Sequence, residues 1–369
     1  MDLKRTFALA RKEWVQIRRD PFSLALAFLL PVMLLVIYGY AITFDVNNLA
    51  TVVYDQDKSS LSREFVDQFI QSGYFTQVAS IGSYMEVDPF LDKRKAKVVI
   101  VIPVDFSKKI HSGAGTSIEA IIDGSDANTA SIAQGYIAIV VGRFTTRLAG
   151  QQVPALVNLQ PRVWYNPELK SRHFIIPGLI AVIMAVIVAL LTSLTISREW
   201  ERGTMEQLVS TPVKPIEMVT GKLIPYFIIG FIDTVASILM GTLLFDVPLR
   251  SSITLLLLSS GIFLFGGLSF GILISIATRN QVLACQAAIV SSFLPAFLLS
   301  GFIFSISNMP HVLQAITFLI PARYFVSILK GIFLKGIGFT YLRLELLLLS
   351  VYAALVFFLA VKKLKKRID

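Results

Sequence analysis

FIIPGLIAVIMAVIVALLTSLTI, running from Phe174 to Ile196, is an uninterrupted apolar stretch with no formal charge. As a helix it reaches roughly 35 Å at 1.5 Å per residue, enough to cross about 30 Å of bilayer hydrocarbon. Five further stretches satisfy the same test: Phe22–Phe44, Leu223–Phe245, Ile253–Ala277, Val282–Phe304 and Leu342–Val361. The chain is 55% hydrophobic and only 16% charged, against roughly 45–50% and about 25% in soluble domains. The charge deficit falls in the long runs and is not spread evenly, which separates membrane spans from one large soluble core. Each run carries Gly, Pro or Ser, which helix bundles in lipid tolerate because small residues let helices approach. The single cysteine, Cys285, lies inside an apolar run, so the chain can form no internal disulfide and no cysteine metal cluster.

Lysine and arginine fix the expected orientation, because positive flanks stay cytoplasmic. Lys4, Arg5, Arg11, Lys12, Arg18 and Arg19 precede the first span, and Lys362, Lys363, Lys365, Lys366 and Arg367 follow the last. Both termini are therefore expected in the cytoplasm, with an even number of crossings. Residues 45–172 hold 13 basic and 13 acidic residues, so the whole formal charge of +10 lies elsewhere and this segment belongs outside. A signal peptide competes for the first span, but its apolar run exceeds the usual 7–15 residues and lacks a small-x-small cleavage site. The expected fold class is an α-helical integral membrane protein of six transmembrane helices, with an α+β extracytoplasmic domain inserted between the first and second spans. Its divisions are an interfacial helix (1–20), the first span (21–44), the inserted domain (45–172), spans two to six (173–361) and a basic tail (362–369). An external re-entrant or interfacial segment, 305–341, is broken by Pro310, Pro321, Gly331 and Gly336.

Within residues 1–20, Leu3, Phe7, Ala10, Trp14 and Ile17 recur at helical spacing opposite Lys4, Arg5, Arg11, Lys12 and Arg18. That pattern predicts a helix lying along the inner membrane surface, basic residues toward anionic lipid headgroups. In the inserted domain, Thr51–Tyr54, Lys97–Pro103 and Ile118–Ile122 read as strands, Ser62–Gln71 as a helix and Asp123–Asn128 as a turn. Thr129–Leu148 reads as a long segment leading back to the membrane. His111 has no companion ligand, and Asp55, Asp57, Asp123 and Asp126 lack calcium-loop spacing. No catalytic, metal or cofactor site is expected.

The loop after the second span, Ser197–Lys222, is the most informative. It begins REWERGTMEQL (Arg198, Glu199, Trp200, Glu201, Arg202, Gly203, Thr204, Met205, Glu206, Gln207, Leu208) and continues through Pro212 to EMVTGK, Glu217–Lys222. A helix would stack Glu199, Arg202 and Glu206 on one face. Gly203 and Thr204 interrupt it, predicting two helical pieces with Thr204 capping the second and Gln207 at the N3 position of a capping box. A charged, bent segment between two spans can act as a lever pushed by a cytoplasmic partner.

On these residues the chain resembles the type-2 permease family of ATP-binding-cassette exporters. The family pattern places ERE-x-GT-x-E-x-L after the second span, a proline beyond it and G-K opening the third. Glu199, Glu201, Arg202, Gly203, Thr204, Glu206, Leu208, Pro212, Gly221 and Lys222 stand in those places here, while Trp200 departs from the usual basic residue. Leu9–Pro21 and Ser300–Gly338 are similar to the family's opening and closing stretches. The resemblance implies a permease that pairs with a second permease, like or unlike. The pair sits on ATP-binding subunits, two copies or a fused pair. The stroke would pass through Arg198–Leu208, braced by the surface helix. No G-x-x-x-x-G-K-[ST] occurs, and SGAGTS (Ser112–Ser117) lacks the lysine, so ATP is expected on a separate subunit. Drug-like, amphipathic or lipid substrates are expected from the large first external loop, by analogy. The expected location is a bacterial inner membrane, with membrane lipids as partners and no nucleic acid.

Asp233 falls mid-span, where a lipid-exposed charge costs roughly 2.5–3.5 kcal/mol on insertion scales. It is expected to face protein or water, as part of a translocation path, a dimer seam or an interhelical hydrogen bond. Arg279 and Glu345 are expected at the interfaces. An ion-coupled secondary transporter is the rival reading, but one large inserted domain breaks the repeat symmetry such proteins show. A membrane sensor would need a cytoplasmic output domain beyond the short tail after Val361.

Overall fold

The computed structural model describes residues 1–41, 48–92, 95–124, 127–148 and 170–364. The chain divides into two compact units, residues 44–162 and the remainder. The first helix, α1 (Leu3–Arg18), starts on Asp2, whose carboxylate accepts the Lys4 N–H at 2.9 Å. Pro21 opens α2 (Pro21–Leu24), the helical position where a missing N–H costs least. One π-type turn, Ala25–Leu29, carries it into α3 (Leu30–Ala41). The continuous helical run of residues 21–41 covers roughly 31 Å. Residues 42–44, assigned to this span by sequence, lie outside the described residues, as do Lys365, Lys366 and Arg367 of the basic tail.

The inserted unit is a four-stranded mixed sheet with helices. In chain order it runs β1 (Leu49–Asp55), α4 (Ser60–Gln71), β2 (Phe75–Ser80), α5 (Val87–Asp92), β3 (Val98–Ile102), α6 (Phe106–His111), β4 (Glu119–Ile122) and α7 (Ala127–Leu148). Strand order is β2-β1-β3-β4, with β1 parallel to both neighbours and β3 antiparallel to β4. Every residue of β3 is buried. Val98, Ile100 and Ile102 pack with Phe65, Phe69, Phe106 and Phe144 on one face, while Val99 and Val101 pack with Val52 and Val87 on the other. A strand covered on both faces loses its polar alternation, which is why it was readable as a continuous apolar run. Edge strand β2 escaped that reading because alternate residues are solvated. The turn carboxylates have local duties. Asp55 accepts the Ser62 hydroxyl at 2.7 Å, Asp57 the Ser107 hydroxyl at 3.0 Å, and Asp123 pairs with Lys97 at 2.6 Å. Asp126 lies outside the described residues.

The larger unit is built round α8 (Ser171–Glu201), which begins before the boundary expected at residue 172. It is apolar on all sides and almost entirely buried, as a central bundle helix must be. After it come α9 (Thr204–Ser210), α10 (Pro215–Leu243), α11 (Ile253–Thr278) and α12 (Gln281–Leu299). Then follow α13 (His311–Thr317), α14 (Pro321–Lys330) with a π-type turn at Gly331–Lys335, and α15 (Phe339–Lys363). Among the described residues, five helices (α8, α10, α11, α12 and α15) are long and apolar enough to cross a membrane. The α13–α14 pair bends by 85°, the geometry of a broken span or re-entrant loop. Its second arm is not merely interfacial, since Phe325, Leu329, Ile332 and Phe333 are buried in the core. Glycine permits the closest helix approach. Gly271 lies against Thr192 and the Ala189 carbonyl, and the Thr192 hydroxyl donates to the Leu268 carbonyl at 2.9 Å.

Candidate functional site

REWERGTMEQL folds as two helices meeting at an elbow. Helix α8 ends at Glu201, and Gly203 adopts φ +66°, a left-handed conformation that a side chain would strain. Helix α9 then starts at Thr204. The two-piece reading therefore matches the backbone, but two details differ from it. The stacked row of Glu199, Arg202 and Glu206 does not form, because the elbow rotates the second helix: Glu199 turns inward while Arg202 and Glu206 stay exposed. Thr204 is the first helical residue and not the cap. Its hydroxyl donates to Glu199 Oε2 instead, Gly203 caps without a side chain, and Gln207 is exposed. The capping carboxylate nearby is Glu217, which accepts the Lys214 N–H at 2.9 Å and the Asp2 N–H at 2.6 Å, tying α10 to the start of α1.

Beneath the elbow lies a four-charge cluster. Lys222 on α10 is 1% exposed and pairs with Glu13 of α1 and, at 3.2 Å, with Glu199 Oε1 of α8. Lys12 reaches the same Glu199 oxygen at 2.7 Å. Two carboxylates and two ammonium groups thus balance where desolvating a lone ion would cost several kcal/mol. Close backbone contact makes the cluster possible. A β-carbon on Gly221 would stand 2.7 Å from Leu9 Cβ and 3.0 Å from the Thr6 carbonyl oxygen, so only glycine lets α1 lie this close on α10.

A second set of bonds joins α8 to α12. Arg198 pairs with Asp20 at 3.1 Å and donates to Gln281 Oε1 at 3.4 Å. Glu201 accepts the Gln281 backbone N–H at 2.8 Å and its side-chain amide as well. The Arg279 guanidinium lies 4.7 Å above the Trp200 ring, at the end of α11. Ser275 accepts the N–H groups of Ile196 and Ser197, each at 2.9 Å. Of the sequence-predicted residues, Glu199 belongs to the cluster, Thr204 bonds to it, and Arg198 is buried against Asp20 and Gln281. Glu201, Arg202, Gly203, Glu206 and Gln207 are exposed around the elbow, and Leu208 is half-buried.

On α1 the expected single apolar face is two faces. Thr6, Leu9, Ala10, Glu13 and Ile17 are buried, whereas Leu3, Phe7 and Trp14 are exposed beside exposed Arg11 and Arg18. Sequence reasoning missed Glu13, Asp20 and Gln281. Glu13 was findable as the one acid at i+4 from Leu9 and i−4 from Ile17, on the buried side of an otherwise basic helix. Asp233 on α10 is 1% exposed, and neither carboxylate oxygen has a hydrogen-bond partner among the described residues. The Oε2 of Glu345 is likewise buried without a partner, so it is not simply snorkelling as expected.

The sequence pattern of the ABC-2 family transporter proteins matches residues 21–362. The chain is 40% identical to the probable multidrug ABC transporter permease YbhS of Escherichia coli K12, over 99% of this chain and 98% of that protein. It is 32% identical to the probable multidrug ABC transporter permease YbhR of the same organism, over 90% of each. It is 21% identical to ABC transporter G family member 20 of Dictyostelium discoideum, where it spans 51% of the longer protein.

Proposed function

This chain belongs to the ABC-2 family of transporter proteins, and from that premise we propose that it is the permease subunit of an ATP-driven exporter whose α8–α9 elbow receives the stroke of a separate ATP-binding subunit. Two permeases, like or unlike, form the translocation path and stand on two such subunits or a fused pair. The observation that carries this reading is the buried cluster of Lys222, Glu13, Glu199 and Lys12 directly beneath an exposed elbow.

The cluster makes α1, α10 and the end of α8 one mechanical piece, since pulling Lys222 away strands two buried carboxylates at a cost of about 3–5 kcal/mol. A push on Glu201, Arg202, Glu206 and Gln207 therefore moves two membrane helices together and does not merely bend a loop. The Gln281 clamp on Glu201 and Arg198 carries the same displacement to α12. Leu3, Phe7 and Trp14 of α1 meet the bilayer surface, with Arg11 and Arg18 reaching for headgroups.

Both termini lie in the cytoplasm and the inserted unit outside a bacterial inner membrane, as the lysine and arginine distribution supports. ATP is bound by the partner and no cofactor by this chain. The substrate is drug-like, amphipathic or lipid, supported by the multidrug names of the two Escherichia coli relatives. Asp233, buried with no hydrogen-bond partner among the described residues, is assigned to the translocation path or the seam between two permeases. Reconstitution of Glu201→Lys/Glu206→Lys with the ATP-binding subunit tests the elbow, by transport measured beside ATP hydrolysis. Both should fall at least tenfold while the variant still folds, and unchanged stimulation of hydrolysis would remove the elbow as the coupling element.

A further inference from the structure

The coupling cluster leaves a group of basic residues without employment. A cavity of about 660 Å³ opens where α1 passes into α2, beside the end of α8 and the start of α12. Its polar lining is Lys12, Gln16, Arg19, Asp20, Arg198, Arg202 and Gln281. Lys12 is committed to Glu199, and Arg198, itself 8% exposed, to Asp20. Arg19 and Arg202 have no ion pair among the described residues. Four cations thus face one lining carboxylate, and two guanidinium groups are unspent.

The depth of the cavity is set by the helices that border it. Pro21 opens the first apolar helical run, Arg198 stands two residues beyond the last apolar residue of the second span, and Gln281 opens α12. Three membrane helices therefore end at the rim, at the boundary where the hydrocarbon gives way to phospholipid phosphates. The volume lies within the roughly 300–1,000 Å³ of small-ligand sites.

We propose that this cavity binds the phosphate headgroup of an anionic phospholipid, with Arg19 and Arg202 supplying the two free guanidinium groups. A guanidinium meets phosphate oxygens through paired N–H donors, which an isolated ammonium does not. The headgroup bridges α1 to the elbow at Arg202, so lipid holds together the surfaces on which a partner subunit would push. The acyl chains continue into the bilayer beside the first apolar helical run. This inference rests on membrane placement and not on the exporter reading, and its test needs neither ATP nor substrate.

The full-length protein, purified alone in detergent, is mixed with equal amounts of phosphatidylglycerol and phosphatidylcholine, and retained lipid is counted by native mass spectrometry. Wild type is expected to retain phosphatidylglycerol preferentially. Arg19→Gln/Arg202→Gln should lower that preference about tenfold or more, the effect of removing two basic residues from a membrane surface site. Arg19→Lys/Arg202→Lys, which keeps the charge but not the paired donors, should fall between wild type and the Gln variant and shows that the pocket survives substitution. Inorganic phosphate at the lipid concentration should not displace the lipid. Full preference in the Gln variant overturns the proposal, and so does displacement by inorganic phosphate.

Discussion

Lys222 and Glu13 stand 209 positions apart in the chain and meet as a buried ion pair, their side chains 1% and 4% exposed. Glu199 shares the same ammonium group, so Lys222 holds α1 and α8 to α10 at once. Replacing Lys222 with Met leaves two buried carboxylates facing each other with only the half-exposed Lys12 nearby. Replacing Glu13 with Gln leaves the Lys222–Glu199 pair intact. The expected order of thermal stability in detergent is wild type, then E13Q, then K222M. The last should lose about 3–5 kcal/mol, and an inverted order would show that the cluster is not what binds these helices.

Gly221 is the contact that admits α1. A Val at this position drives its β-carbon into Leu9 and the Thr6 carbonyl, and the backbone atom cannot yield as a side chain can. G221V is expected to lift α1 from α10, costing about 1–3 kcal/mol as an overpacked site does. Faster proteolytic cleavage within residues 1–20, with the rest of the chain protected, is the diagnostic outcome.

Gly203 has open space around it, so substitution there acts through the backbone alone. G203A places a β-carbon at φ +66°, a strain of roughly 1–2 kcal/mol. The elbow should open towards an ordinary helical turn. Stimulation of the ATP-binding subunit is expected to fall several-fold while the melting temperature drops only a few degrees, whereas an unchanged coupling ratio would mean the elbow angle is irrelevant.

Among the described residues neither buried oxygen of Asp233 has a donor, and leaving a buried polar group unsatisfied costs about 1–3 kcal/mol. D233L should therefore raise the melting temperature and reduce transport. Higher stability with full transport would make the carboxylate dispensable to translocation.

The apolar helices were legible because a bilayer imposes a length and a composition that one stretch either meets or fails, as Phe174–Ile196 does. The same holds for β3, covered on both sheet faces, and for the two-piece reading around Gly203. What was misread depended on direction. Leu3, Phe7, Ala10, Trp14 and Ile17 share a helical spacing, yet the structure sends Ala10 and Ile17 inward and the other three outward. Nothing local distinguishes a face that meets lipid from one that meets another helix, since both want apolar residues. Glu199 and Glu206 share one face by spacing, and the two-residue break at Arg202 and Gly203 separates them.

The sequence by itself determined that the chain spans a membrane, where its long helices fall, and that a charged, glycine-broken segment follows the second of them. Those properties are local, written in hydrophobicity, chirality and the reach of a 1.5 Å rise. Only the tertiary structure decided that Glu13 meets Lys222, that Gly221 seats α1, and that Arg19 and Arg202 share one cavity. Charges 200 residues apart carry no mark of their partners until packing removes water and makes an unpaired ion too costly to keep.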